Sequence, residues 1–165
     1  MGSIENTSMD QYDNIFNTNL RSVYFLTLLI TPHLIATRGS IVNVSSVSGM
    51  CSNAGVLAYS MSKSALNQFT KCVALELASK GVQVNSVSPG VVVTEIHKRA
   101  GMDEETYRKF LETSRKTHPL GRAGTAEEVA ESISFLASNE AGFTTGANLP
   151  IDGGRHALGI QLKLV

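Results

Sequence analysis

What this chain of 165 residues has little of narrows its function before any motif is considered. Charge is scarce and balanced, with 14 basic against 14 acidic side chains. Nucleic acids and anionic membrane surfaces both demand a basic face, so neither is expected as a partner. There are two cysteines, Cys51 and Cys72, which form neither a CxxC pair nor the even framework of a small secreted domain. Inert thiols in a reducing, cytoplasmic setting are therefore predicted. The four histidines, His33, His97, His118 and His156, lack metal-ligand spacing and read as surface or structural groups, so no metal is expected. A serine hydrolase built on one of them is disfavoured, because no Gly-x-Ser-x-Gly elbow is present. The longest apolar run, Val23 to Ile30, is interrupted by Thr27 and falls well short of a bilayer. No basic segment followed by an apolar stretch opens the chain. Met1-Gly2-Ser3 begins like a myristoylation site, yet Asn6 stands where Ser or Thr is needed. The sequons at Asn6 and Asn43 have no secretory context.

What is present is apolar material, 42% of the residues, enough for one domain over 1–165 to bury a core without a disulfide or metal. Charge is also uneven along the chain. From Ser22 to Thr94 only Arg38, Lys63, Lys71, Glu76 and Lys80 are charged, whereas eleven of the 22 residues from Glu95 to Lys116 are. The first stretch reads as buried layers and the second as a solvated helix lying over them.

Ser8 with Gln11 makes a capping box and predicts a helix from there, with Tyr12, Ile15, Phe16, Val23, Leu26 and Ile30 on its apolar stripe. Pro32 and the Gly39-Ser40 turn are expected to end it. Asn19 falls inside the stripe, where an unpaired amide would cost about 1 to 3 kcal/mol. Ile41 to Val44 and Val82 to Val87 read as buried parallel strands, separated by a helix over Tyr59 to Leu77 that Lys80-Gly81 stops. Asp103 can cap a helix with Glu104-Arg108, Glu105-Lys109 and Glu112-Lys116 as i,i+4 pairs. Thr125 and Glu128 make a second capping box, for a helix through Val129, Ile133, Phe135 and Leu136, and Ala147 to Ile151 reads as the last strand. The order helix, strand, helix, strand, helix, helix, strand is that of a parallel α/β sheet with right-handed crossovers.

Tyr59 and Lys63 are four residues apart at the start of a helix and so project from one face. An ammonium there favours the phenolate, as a general acid or base near neutral pH requires. Tyr-x-x-x-Lys alone is a weak signal, because the spacing often arises on helix surfaces. Its context is more informative. Asn43-Val44-Ser45-Ser46 ends a strand, at the sheet edge where open parallel sheets bind ligands, and Ser88-Pro89-Gly90-Val91-Val92-Val93-Thr94 ends the next.

These residues resemble the short-chain dehydrogenase/reductase family, in the group that includes 3-oxoacyl carrier-protein reductases. The resemblance rests on Asn17-Thr18-Asn19-Leu20, Asn43-Val44-Ser45-Ser46, Tyr59-Ser60-Met61-Ser62-Lys63, Pro89-Gly90 with Thr94, Leu120-Gly121-Arg122, and the segment from Gly146 to Asp152-Gly153-Gly154. It implies an α/β fold, the C-terminal part of a Rossmann-like doubly wound parallel sheet with about three strands and flanking helices. It further implies hydride transfer between an alcohol or ketone, or a 3-oxoacyl group, and NAD or NADP. In that reaction Tyr59 exchanges a proton with the substrate oxygen and Ser46 hydrogen-bonds that oxygen. Lys63 assists the tyrosine and holds the nicotinamide ribose, and Asn19 anchors a water in a proton relay. Pro89 and Gly90 line the nicotinamide, Val92 binds its carboxamide through backbone atoms, and Thr94 contacts the carboxamide or phosphates. The charged stretch after Thr94 becomes a mobile helix over the substrate. A homo-oligomer, dimer or tetramer, is implied through the helices at Ser8 to Ile30 and Tyr59 to Leu77.

The chain departs from the family in showing no Thr-Gly-x-x-x-Gly-x-Gly turn and no Asn-Asn-Ala-Gly segment. Those normally belong to an N-terminal half that binds adenosine and selects between NAD and NADP. The expected result is a three-stranded sheet with an exposed apolar edge and a tendency to associate. The competing function is a catalytically silent chain that keeps only the oligomerisation surfaces.

Overall fold

The computed structural model of the protein describes residues 2–99 and 101–158. Three parallel strands, β1 (Ser40–Val44), β2 (Gln83–Pro89) and β3 (Asn148–Ile151), lie in the order β1-β2-β3. Val44 pairs with Val87, and Pro89 with Ile151, so the carboxyl ends of all three strands emerge along one edge. The strands fall where the β-branched runs predict them, with bounds shifted by one or two residues.

The capping box at Ser8 forms as expected: Ser8 Oγ accepts from Gln11 N at 3.2 Å, and Gln11 Oε1 accepts from Ser8 N at 3.3 Å. Helix α1 (Met9–Phe16) then runs through a π turn, Asn17–Arg21, into α2 (Ser22–Thr37). Two expectations change here. Pro32 does not end the helix; it lies inside α2, which stops at Arg38 in a left-handed conformation (φ 52°). The carbonyl a proline deprives of its partner is four residues back, on Leu28, whose side chain is 60% exposed, so water can satisfy it. Continuity also gives a 29-residue helix, Met9–Thr37, that by length and composition could cross a membrane, although its longest uninterrupted apolar run is short. It meets the rest of the fold at few points, for Thr27 is the one buried residue of α2, the Tyr24 ring stands 5.7 Å from that of Phe69, and Asn19 bonds α3.

Helix α3 (Leu57–Leu77) and α6 (Ala126–Ala137) cover opposite faces of the sheet. Strand alternation shows this directly. Asn43 Nδ2 donates to Thr70 Oγ1 on α3 at 3.0 Å, while Ser40 Oγ donates to the Ala137 carbonyl at 3.3 Å, and these strand positions point to opposite sides. Ala74, Leu77, Val82 and Val84 form the core on the α3 side, with Leu34, Ile35, Ile41 and Val73 against them. Inside the sheet, fully buried Asn85 uses both ends of its amide, Nδ2 donating to Thr144 O at 2.9 Å and Oδ1 accepting from Ala147 N at 3.0 Å. A short helix, α4 (Ile96–Arg99), which the sequence reading did not anticipate, precedes α5 (Glu104–Thr117).

β1 is an edge strand carrying Val44, 51% exposed, and Tyr24, Phe25, Leu26, Leu28 and Leu29 on α2 are each between 55% and 60% exposed. An apolar surface of that extent is expected to promote association. Sedimentation velocity of the 165-residue chain is expected to show concentration-dependent species larger than a monomer. A single monomeric boundary with one cooperative thermal transition would contradict this.

The second capping box also forms, and Arg122 clamps its carboxylate bidentately at 2.9 and 2.6 Å. The Arg122 guanidinium first, and then the Thr125 N–H, lower the Glu128 carboxyl to about 2 from an ordinary 4.5. A carboxyl whose folded value is depressed stabilises the fold above its unfolded value and loses that contribution as pH falls towards the folded one. Glu128→Gln should therefore flatten the dependence of stability on pH between about 4.5 and 2. Urea unfolding across that range checks it, and an unchanged slope would remove the clamp from the acid response.

Candidate active site

The three strand ends are laced together. Ser45 N donates to Val87 O at 2.8 Å and Gly90 N to Ile151 O at 3.0 Å. Ser46 follows in an extended conformation, 8% exposed, and its Oγ accepts from Ser48 N at 3.1 Å, capping a 3₁₀ turn at Val47–Gly49.

Helix α3 brings Tyr59 and Lys63 to this edge. Lys63 Nζ donates to the Val44 carbonyl at 3.0 Å and lies 5.8 Å from the centroid of the Tyr59 ring. Ser45 Oγ in turn donates to the Lys63 carbonyl at 3.2 Å, so strand end and helix are tied in both directions. Burial pushes the Lys63 ammonium below its ordinary value, and desolvation is the sole cause. Among the described residues no carboxylate stands in salt-bridge distance of it.

Asn19 occupies the middle of the π turn. The extra residue in that turn re-aims the amide out of the apolar stripe, and Nδ2 donates to Ser62 Oγ at 3.1 Å. Fully buried Ser62 donates to the Tyr59 carbonyl at 2.7 Å, linking Asn19 to the first turn of α3. Ser62 had no assigned role in the sequence; its place three residues after Tyr59 was the available signal.

Pro89 and Gly90 lead into a strip, 91–94, held from two sides. Gly124 N donates to Val91 O, and Val93 N to Gly124 O, both at 2.9 Å. That bridge pairs Gly124 opposite Val92, which turns the N–H and C=O of Val92 itself to the other side. From α5, the buried Tyr107 hydroxyl accepts from Thr94 N at 3.3 Å and donates to Thr94 O at 3.1 Å. His118, 2% exposed, accepts from Val91 N at Nε2 (3.0 Å) and donates from Nδ1 to Ser114 O (2.7 Å), an arrangement that assigns a neutral ring. Sequence reasoning assigned Tyr107 no role, because its segment was judged by its charge, and read His118 as surface or structural; its buried bond to Val91 N makes it structural. The signal was the helical spacing of Tyr107, Leu111, Ser114 and His118.

A separate open groove of about 730 Å³ lies between the N-terminal segment, α1 and α3, lined by Ile4, Tyr12, Phe16, Met50 and Met61. It uses Leu57, Ser60, Met61 and Ser64 of α3, not Tyr59 or Lys63, so it is beside the tyrosine-lysine pair. Among the described residues no cluster of side chains could hold a metal ion.

The family model described as enoyl-(acyl carrier protein) reductase matches residues 1–156. The chain belongs to the short-chain dehydrogenase/reductase family. Within that family it is 40% identical to meso-2,3-butanediol dehydrogenase of Serratia marcescens, over 99% of this chain and 63% of that protein. It is 42% identical to a 3-oxoacyl-[acyl-carrier-protein] reductase of Thermotoga maritima, over 88% of this chain and 57% of that protein. A short-chain dehydrogenase/reductase of Caenorhabditis elegans solved with cofactor superposes with a TM-score of 0.90 at 35% identity, covering 96% of this chain and 60% of the other. The chain thus spans about three fifths of the length of these relatives. The Rossmann-like parallel sheet expected from the motifs is the sheet observed.

Proposed function

We propose that this chain carries the catalytic side of an NAD(P)-dependent oxidoreductase that interconverts an alcohol with a ketone or 3-oxoacyl group. The observation that supports the reading is a desolvated Lys63 bonded to the Val44 carbonyl and standing 5.8 Å from the centroid of the Tyr59 ring, at the carboxyl edge of a parallel sheet where Ser46 follows Val44 by two residues. Relatives named as a butanediol dehydrogenase and a 3-oxoacyl reductase support the same chemistry.

The site fits half of a nicotinamide dinucleotide. The N–H and C=O of Val92, turned away from Gly124, offer the donor and acceptor that a carboxamide requires. Pro89 and Gly90 supply a side-chain-poor floor, and a Cβ on Gly90 would come within 2.7 Å of His118 Nε2. Lys63 spends one N–H on Val44 O and keeps others for ribose hydroxyls. Thr94, whose backbone is held by Tyr107, would contact the carboxamide or a phosphate. When bound, the dinucleotide supplies or accepts the hydride.

The chain's own residues then move the proton. In reduction, Tyr59 gives its hydroxyl proton to the substrate oxygen as that oxygen gains charge, and Ser46 donates a hydrogen bond to the same atom. Lys63, above the ring, stabilises the phenolate left behind. Asn19 and Ser62 hold the first turn of α3 through the Tyr59 carbonyl, and so position the tyrosine.

Titration of NADH and NADPH, followed by nucleotide fluorescence, tests the reading. Saturable binding of either nucleotide, weakened by the want of an adenosine site among these residues, is expected, and binding at micromolar levels would support the enzyme most strongly. An unchanged signal at millimolar nucleotide would sink the enzyme and leave the oligomerisation surfaces as the chain's remaining role.

A further inference from the structure

Gly49 ends the 3₁₀ turn that follows Ser46, and both of its backbone groups are engaged. Its N–H donates to the Ser46 carbonyl at 2.9 Å. Its carbonyl accepts twice from α3, from Ser64 Oγ at 3.0 Å and from Asn67 Nδ2 at 3.2 Å. Ser64 adjoins Lys63 in the chain and Asn67 lies one helical turn beyond it, so the turn is pinned to the part of α3 that carries Tyr59 and Lys63.

The contact is one of backbone against backbone. A Cβ on Gly49 would stand 2.7 Å from the Lys63 carbonyl carbon and 2.9 Å from its oxygen. Gly49 is not among the glycines with positive φ, so closeness to α3 is what a side chain would disturb there. The same Lys63 carbonyl accepts from Ser45 Oγ at 3.2 Å. Ser46 is thus flanked by one residue bonded to that carbonyl and followed by another packed against it. The turn also orients the Ser46 hydroxyl. Its Oγ accepts from Ser48 N at 3.1 Å, which leaves the hydroxyl proton as the group to be given.

We propose that Gly49, clasped by Ser64 and Asn67, is the positioning residue that sets Ser46 against the helix bearing Tyr59 and Lys63. This rests on the oxidoreductase reading above, in which Ser46 and Tyr59 must meet one substrate oxygen from two different elements. Ser46 follows β1 and Tyr59 belongs to α3, so their spacing is fixed by whatever joins those elements. The clasp on Gly49 joins them. A misplacement of about 1 Å at such a pair can cost on the order of 100-fold in rate.

A double-mutant cycle on the reduction of methyl acetoacetate by NADH tests the clasp. Ser64→Ala with Asn67→Leu removes both donors from the Gly49 carbonyl. This pair should lower kcat/KM about 10- to 100-fold and keep the NADH dissociation constant within about 2-fold. In a Ser46→Ala background, where no hydroxyl is left to place, the same pair should cost less than about 2-fold. Gly49→Ala, which pushes the turn off α3 with both donors present, should behave like the pair in each background. Ser64→Thr, which keeps the hydroxyl, should retain most of the activity. Thermal unfolding controls for folding, and Asn67→Leu alone enters the same cycle if the pair unfolds. In the unliganded chain the Ser48 amide resonance, whose N–H faces Ser46 Oγ, should shift and exchange faster with solvent in the pair. An equal loss of activity in both backgrounds overturns the proposal, because a merely structural role acts whether or not Ser46 is present. An unmoved Ser48 amide overturns it too. A chain that neither turns over the ester nor binds NADH, yet whose Ser48 amide moves in the pair, supports the clasp and removes the oxidoreductase reading instead.

Discussion

Tyr59→Phe is expected to lower turnover of methyl acetoacetate by NADH about 10²- to 10⁴-fold, the usual contribution of a positioned proton donor. The same change should leave the NADH dissociation constant within about 2-fold, since it removes one oxygen and keeps the ring. The geometry explains why the two effects separate. Lys63 is anchored to the Val44 carbonyl rather than to the phenol oxygen, so its ammonium stays in place when the hydroxyl is gone. The Asn19-Ser62 chain ends on the Tyr59 carbonyl, a backbone atom that the substitution does not touch. Phenylalanine also preserves the ring face beneath the ammonium, 5.8 Å from its centroid. Turnover that survives in this variant would require another proton donor and would sink the assignment.

Gly90→Ala carries the second large effect, and it acts by volume alone. Gly90 is not among the glycines with positive φ, so alanine meets no backbone strain. The added Cβ would stand 2.7 Å from His118 Nε2 and 2.9 Å from the Asp152 Cα. One neighbour could swing away, but the other is backbone at the end of β3. Overpacking of this kind costs about 1 to 3 kcal/mol, which for a domain of this size lowers Tm by roughly 3 to 10 °C. Displacing His118 also strips Val91 N of its acceptor and loosens the strip that carries Val92 and Thr94. NADH affinity should therefore fall at least about 10-fold, the equivalent of one lost set of oriented contacts. Adding His118→Ala should restore less than half of the Tm loss, because the contact with Asp152 remains. Unchanged Tm and NADH binding in Gly90→Ala would show that the turn after β2 yields freely and does not form the floor of the site.

Much of the architecture was legible because its signals are local. Ser8-Gln11 and Thr125-Glu128 satisfy their own exposed backbone groups within one turn, so the helix starts at α1 and α6 follow from four-residue windows. The β-branched runs at Ile41 to Val44 and through Val84 and Val87 mark extended segments by composition, although only the second is fully buried, since Val44 stands 51% exposed at the sheet edge. The Gly39-Ser40 turn does mark the end of α2, but Pro32 does not interrupt the helix, for an equally physical reason. Proline disfavours a helix by depriving one carbonyl, and whether water can replace that bond depends on which side of the helix faces outward.

The sequence by itself determined the family and the parallel α/β scaffold, and its motifs picked out Ser46, Tyr59 and Lys63 as the proposed reacting groups, with Asn19 set into an apolar stripe. Tertiary structure alone decided how those groups are held. The π turn that aims Asn19 at Ser62, the Val44 carbonyl that receives Lys63, and the strip clamped by Tyr107 and His118 each join residues far apart in the chain. Capping and periodicity are short-range and can be read in sequence. The pairing of a buried donor with its acceptor is settled only when the layers pack, because only then does water cease to be the alternative partner.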